Sequence, residues 1–318
     1  MNKYRHLQFF IVLIFLSIAF FACTNHQRNE PLMNEKKTPA VYNAPDTTEL
    51  EDDIYGLTVK YGARLIYNTA YYLGPDGVVG KYLGNKMNCG NCHLEGGRKP
   101  YGNNFFLTHQ IYPQYRAREN KVMTTADRVN NCIERPHNGQ PIPLDSYEMV
   151  AITSYIQWIG KNYDEEKHIG HGLKEFEHKG LKSDPVRGQK VYETHCKSCH
   201  QANGEGLLWP DGKTYQYPPL WGNQSYQKGS SMHRVLKSAS FIYHNMPHPM
   251  QWDKPVLSIQ EALDVAGFIN DNAQHPRPEI KGPAYPNIAT KPKDFYLGPY
   301  QDGKSETEHT FGPWDSSR

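Results

Sequence analysis

The sequence has almost no imbalance of charge, with 35 Lys and Arg against 33 Asp and Glu. Lys3 and Arg5 belong to a leader segment, and its removal leaves 33 basic residues against 33 acidic ones. A neutral chain excludes the nucleic-acid binders, which need a strong basic excess. Long apolar runs are also scarce. The clearest one, Phe9 to Ala22, falls short of the roughly 20 residues that cross a bilayer comfortably. It reads as the core of a secretory leader rather than a membrane helix. Cysteine is sparse too, at six in 318 residues. What is present suits a globular protein, with 21 % charged and 12 % aromatic residues. The length accommodates two domains of ordinary size, and the 22 tyrosines suit loop and edge packing more than chemistry.

The leader ends in Ala22-Cys23, a small residue followed directly by cysteine, which resembles a bacterial lipoprotein cleavage site. Phe20 stands where such sites prefer leucine. Residues 1–23 are therefore expected to be a signal peptide with Cys23 as acceptor. A diacylated cysteine would anchor the protein stably, since two chains suffice where one is marginal. Residues 24–50 are polar with scattered proline and read as a flexible tether. The protein is expected to be exported and lipid-anchored on the periplasmic or extracytoplasmic face of a bacterial membrane.

Four other cysteines fall in two copies of one motif, Cys89-Gly-Asn-Cys92-His93 and Cys196-Lys-Ser-Cys199-His200. C-x-x-C-H is the attachment signature of haem c. Two thiols form thioethers with the vinyl groups, and the histidine turns under the ring to ligate iron. A zinc pair or a redox dithiol would use similar spacing, but two complete copies make coincidence untenable. The expected cofactors are two covalently bound haem c groups, held by Cys89, Cys92, Cys196 and Cys199, with His93 and His200 on iron.

The predicted fold is all-α, with two class I cytochrome c domains in tandem and an irregular C-terminal tail. The first domain covers residues 51–161, opening with an amphipathic helix over Gly62–Tyr71 and closing with one over Ser146–Ile159. Residues 162–183 are the linker. The second domain covers residues 184–276. It opens at Asp184-Pro185, an N-cap followed by proline, and closes with a helix over Ser258–Asn270. The Pro-rich tail, residues 277–318, shows no helical period.

A methionine before proline, Met246-Pro247, is the expected sixth ligand in the second domain, with Met250, Met232, His244 and His248 as competitors. Met ligation raises a haem potential relative to anionic ligands. In the first domain the leftover thiol, Cys132, lies where a sixth ligand is needed, and Met123 is the alternative. Arg128 and Arg135 flank Cys132 and would stabilise a thiolate. From Arg98 to Arg135 seven basic residues (Arg98, Lys99, Arg116, Arg118, Lys121, Arg128, Arg135) face three acidic ones. Such a surplus beside a haem suggests an anionic ligand, although a merely solvated face would show the same composition.

At this level of detail the chain resembles the dihaem thiosulfate dehydrogenase/tetrathionate reductase cytochromes. The matching stretches are Tyr82–Leu94, Tyr112–Arg118, Asp127–Arg135 and Asn138-Gly139, then Pro218–Gly222, Asn245–Pro247, Asp264–Asn270 and His309–Pro313. The resemblance implies a catalytic first haem ligated by His93 and Cys132, and a second, ligated by His200 and Met246, that passes electrons on. It implies thiosulfate and tetrathionate as substrates, interconverted with Cys132, Arg116, Arg118, Arg128 and Arg135 in the active site. It also implies a redox partner such as a small cytochrome or a membrane oxidase or quinol complex. Two departures stand out. Asn245 occupies a position where some members hold a ligand-switching lysine, and Pro136-His137 replaces the family's Ser-Met pair. A non-catalytic dihaem electron carrier, and a sulfur-chain cytochrome serving a carrier protein's cysteine, are the competing functions.

Overall fold

The closing helix of each half is set by a serine that caps its own first turn. In the computed structural model, which describes residues 38–282 and 284–314, Ser146 accepts from the Met149 backbone N–H and starts a helix over Tyr147–Gly160. Ser258 does the same for Ile259–Asn270, with Glu261 reaching back to complete a capping box. The opening helices are Ile54–Tyr67, capped by Asp53, and Pro185–His195, capped by Asp184. We label the principal helices α1 (Ile54–Tyr67), α2 (Thr125–Glu134), α3 (Tyr147–Gly160), α4 (Pro185–His195), α5 (Val235–Asn245), α6 (Ile259–Asn270) and α7 (Glu306–Phe311). All four helices expected from the sequence are present, with the first starting earlier than its apolar period suggested.

Two apolar cores organise the chain. Val59, Leu65, Ile66, Ile152, Tyr155 and Ile159 pack α1 on α3 in the first. Tyr192, Val235, Leu263, Ala266 and Ile269 pack α4 and α5 on α6 in the second. The same device brings each opening helix onto its closing helix. A Cβ on Gly62 would lie 2.0 Å from the Ala151 carbonyl oxygen, and one on Gly188 would lie 2.0 Å from that of Asp264. Only glycine permits backbones to approach this closely. Gly188→Ala is expected to cost about 1–3 kcal/mol, as overpacking does, read as a lower Tm at unchanged haem content.

Strands are short. The pairs are β1 (Ala40–Val41) parallel to β4 (His168–Ile169), β2 (Gln114–Arg116) antiparallel to β3 (Lys121–Met123), and β5 (Leu207–Leu208) antiparallel to β6 (Tyr215–Tyr217). The first pair corrects the sequence reading of residues 24–50 as tether. Residues 40–50 are part of the first half, because Tyr42 buries its ring against Phe106 and Tyr163 and donates to the Ile159 carbonyl at 3.0 Å. The leader, Cys23 and residues 24–37 lie outside the described residues. The linker also packs, with the Gly170 and Gly172 carbonyls accepting from the Tyr101 and Asn103 N–H groups.

The tail is less irregular than expected. Ser305 and Glu308 form a capping box that starts α7, and Trp314 is buried in the second core. A helix this short is set by its cap and leaves no period to read. Among the described residues no helix is long and apolar enough to cross a membrane.

Candidate functional site

The first C-x-x-C-H motif sits on a single tight turn. Asn88 and Asn91 cap one another across Cys89–Asn91, and the Asn88 side chain also accepts from the Ala70 N–H at 2.9 Å. The motif's histidine, His93, hydrogen-bonds through Nδ1 to the Asn103 carbonyl. A carbonyl only accepts, so Nδ1 carries the proton and Nε2 keeps its lone pair. Burial pulls the imidazole down to about 4 and pushes the Cys89 and Cys92 thiols up to about 12. The cavity here, about 250 Å3, is lined by these three residues, Cys132 and an apolar set that includes Ile66, Phe105, Val129 and Ile156. Two adjacent thiols, an oriented neutral imidazole and apolar walls form a donor set that fits a covalent haem.

Cys132 is delivered by α2, a helix the sequence reading did not anticipate. Thr124 and Asp127 form its capping box. Residues four apart share a helix face, which places the Arg128 guanidinium 3.0 Å from the Cys132 sulfur. The nearby thiol sulfur is the largest influence on Arg128 and raises its pKa. This pair lines two cavities, which also share Cys92, His93, Asn103, Arg116 and Pro136. The second, of about 410 Å3, is lined by Cys132, Arg116, Arg118, Arg128 and Arg135 from the first half.

Its other walls come from the second half and the tail. Ser230, Ser231, Arg234, Lys237 and Tyr285 line it, with His171 from the linker. Arg118 ties the halves together, donating to the Gly229 carbonyl at 2.7 Å and to Ser231 Oγ at 3.1 Å. Arg118 and Arg135 share Glu119 as counter-ion, and burial lowers both guanidinium pKa values. Arg234 is held by the buried Asp294, and Lys237 lies 3.7 Å from Glu175. Cations outnumber their acidic partners around this space. Nothing in motif spacing pointed to the second-half residues, because only the packing of the two halves brings them here.

Of the seven basic residues singled out in the sequence, four converge. Arg98 pairs with Asp46, Lys99 donates to the Met250 carbonyl and Lys121 lies exposed on β3. Met123, the alternative to Cys132, is buried where its sulfur accepts from the Asn131 amide at 3.4 Å, and neither cavity wall includes it.

The second motif follows α4 directly. His200 Nδ1 donates to the Pro218 carbonyl at 2.8 Å, leaving Nε2 with its lone pair as in His93. Met246 ends α5 and, like Cys196 and Leu220, packs against the second core. Met232 instead lines the arginine-lined cavity, and His244 donates to the Trp252 carbonyl. This donor set also fits a covalent haem.

Comparison with known proteins agrees with this layout. Residues 185–273 match the cytochrome c family, and residues 82–162 match the SoxA/TsdA cytochrome c domain. The thiosulfate dehydrogenase of Thiomonas intermedia is 37 % identical over 76 % of this chain and 74 % of its own. The chain belongs to the thiosulfate dehydrogenase family. A second member, from Psychrobacter arcticus, is 34 % identical over 79 % of this chain and 73 % of its own. The solved thiosulfate dehydrogenase (TsdBA) of Marichromatium purpuratum superposes with a TM-score of 0.66 at 32 % identity. That match covers 73 % of this chain but 50 % of the longer one. Two cytochrome c domains carry two covalently bound haem c groups in a family member of this kind.

Proposed function

We propose that this chain interconverts thiosulfate and tetrathionate, with Cys132 as its reacting thiol and the arginine-lined cavity as its substrate site. The observation that carries the reading is the Cys132–Arg128 pair, which lines both the haem-motif cavity and the arginine-lined cavity, each also walled by Cys92 and His93. Both substrates are small dianions, and guanidinium groups bind such anions through forked hydrogen bonds. Arg128 donates to the Cys132 sulfur at 3.0 Å and orients it. In the reducing direction the thiolate attacks the central S–S bond of tetrathionate and expels one thiosulfate, leaving a cysteine S-thiosulfonate. Two electrons then cleave that bond, restore the thiolate and release the second thiosulfate. Bound at the two C-x-x-C-H sites, the haems supply these two one-electron steps.

In this reading His93 and Cys132 would hold the first haem iron, and His200 and Met246 the second. The N-terminal Cys23 carries the lipid anchor, and a small cytochrome or a membrane oxidase or quinol complex exchanges the electrons. The test is direct: thiosulfate added to the oxidised holoprotein should reduce it, as followed by haem absorbance. A protein that dithionite reduces but thiosulfate leaves oxidised is a plain electron carrier.

The two potentials should be well separated, since a thiolate lowers and a thioether raises them within the roughly 0.8 V that axial ligands span. A redox titration checks this, and two overlapping high-potential haems would refute the thiolate assignment. Met246→Gly should displace the high-potential wave alone.

A further inference from the structure

The loop that carries Met246 is attached to the other half of the chain as well as to its own, where His244 donates to the Trp252 carbonyl. Lys99, 5 % exposed, donates from Nζ to the Met250 carbonyl at 3.0 Å. Asn245 is wholly buried, and its amide donates to the Tyr101 carbonyl at 3.0 Å. The Trp252 ring meets that of Tyr101 edge-on at 4.8 Å, and the Lys174 ammonium lies over the Trp252 ring at 4.3 Å. Within the loop, the Met250 N–H donates to the Pro247 carbonyl. The two ends of the Met246 loop are therefore fastened to Lys99 and Tyr101, a few residues beyond the first haem motif. Asn103, in the same segment, holds His93.

We propose that Lys99 and Asn245 are positioning residues that seat the Met246 loop on the first half, so that ligation of the second haem depends on a side chain of the first domain. The inference rests on Met246 as the sixth ligand of that haem. A thioether is a neutral ligand, and its sulfur binds iron only while its loop is held in reach. Burial lowers the Lys99 pKa, which is the desolvation cost of placing an ammonium there. The charge-assisted bond to the Met250 carbonyl offsets that cost, so the side chain keeps the loop in register. Asn245 takes up a second backbone acceptor in the same strip.

The test uses the full-length holoprotein and reads the second haem in three ways: the methionine–iron charge-transfer band, the midpoint potential, and displacement of the methionine by added imidazole. Lys99→Met keeps the length and removes the donor. It should let imidazole displace Met246 at roughly ten- to a hundredfold lower concentration, weaken the band and lower the potential, with the first haem's spectrum unchanged. Lys99→Arg should restore most of the native behaviour, and Asn245→Ala should act in the same direction as Lys99→Met. Native imidazole displacement and potential in Lys99→Met would overturn the proposal. So would equal disturbance of both haems, which would mean that the first domain itself had loosened. A native protein lacking the methionine band refutes the Met246 assignment, and the inference falls with it.

Discussion

Replacing Cys132 with glycine is expected to abolish thiosulfate oxidation and tetrathionate reduction while both haems stay attached. The attachment thiols and His93 sit on their own turn, and α2 is held by its capping box and by Asn130, which exchanges two hydrogen bonds with Ile142. The substitution therefore removes a sulfur without removing the frame. Loss of a reacting nucleophile lowers turnover by roughly three orders of magnitude or more. Lost activity alone would be ambiguous, because an altered coordination site also changes a potential. The decisive comparison is Arg128→Ala, which keeps the sulfur and removes its 3.0 Å partner. That variant should retain the native haem count and part of the turnover. Full turnover of Cys132→Gly with either sulfur substrate would refute the role given to this thiol.

Arg118→Ala and Arg135→Ala should each lower kcat/KM by roughly ten- to a hundredfold, the scale of one lost charge-assisted contact of about 1.5–3 kcal/mol. Most of the change should appear in KM, since these guanidiniums line the cavity and Arg128 is the one beside the thiol. Arg135→Ala should be the more severe for a dianion. It removes the closer partner of Glu119 and leaves that carboxylate with Arg118 at 3.6 Å, so the local positive charge falls the most. Competing sulfate gives an independent measure: its inhibition of the native enzyme should weaken in both variants. Unchanged KM and unchanged sulfate inhibition would move the substrate site elsewhere.

The parts of the molecule that announce themselves in sequence are those set by local chemistry. Ser146, Asp184-Pro185 and Ser258 mark helix starts, because a cap acts over three residues. Each C-x-x-C-H motif carries its attachment and proximal ligand within one turn. Cys132 stood out because an unspent thiol in an exported chain needs an explanation. By contrast, α2 has few apolar residues, so its period was faint although its capping box was present. The packing of Tyr42 was hidden by the polar residues around it. Ser231, Arg234, Lys237 and Tyr285 join the cavity only through contacts between the halves, which no local pattern encodes. Gly62 and Gly188 became informative once the helices they separate were known.

The cavity walls also fix an order of events in the making of the protein. Arg118 meets Gly229 and Ser231 across more than a hundred residues of chain, and the Tyr285 N–H donates to the Arg118 carbonyl from still further along. Contacts of such long sequence separation form late, because the entropy of closing the intervening chain must be overcome first. The cap-driven helices and the attachment turn of the first domain need no such closure. These local elements can thus form before the arginine-lined cavity is complete. If the arginine-lined cavity is the substrate site, it is complete only when the second half and Tyr285 are in place, so a truncated chain should lose thiosulfate-dependent reduction.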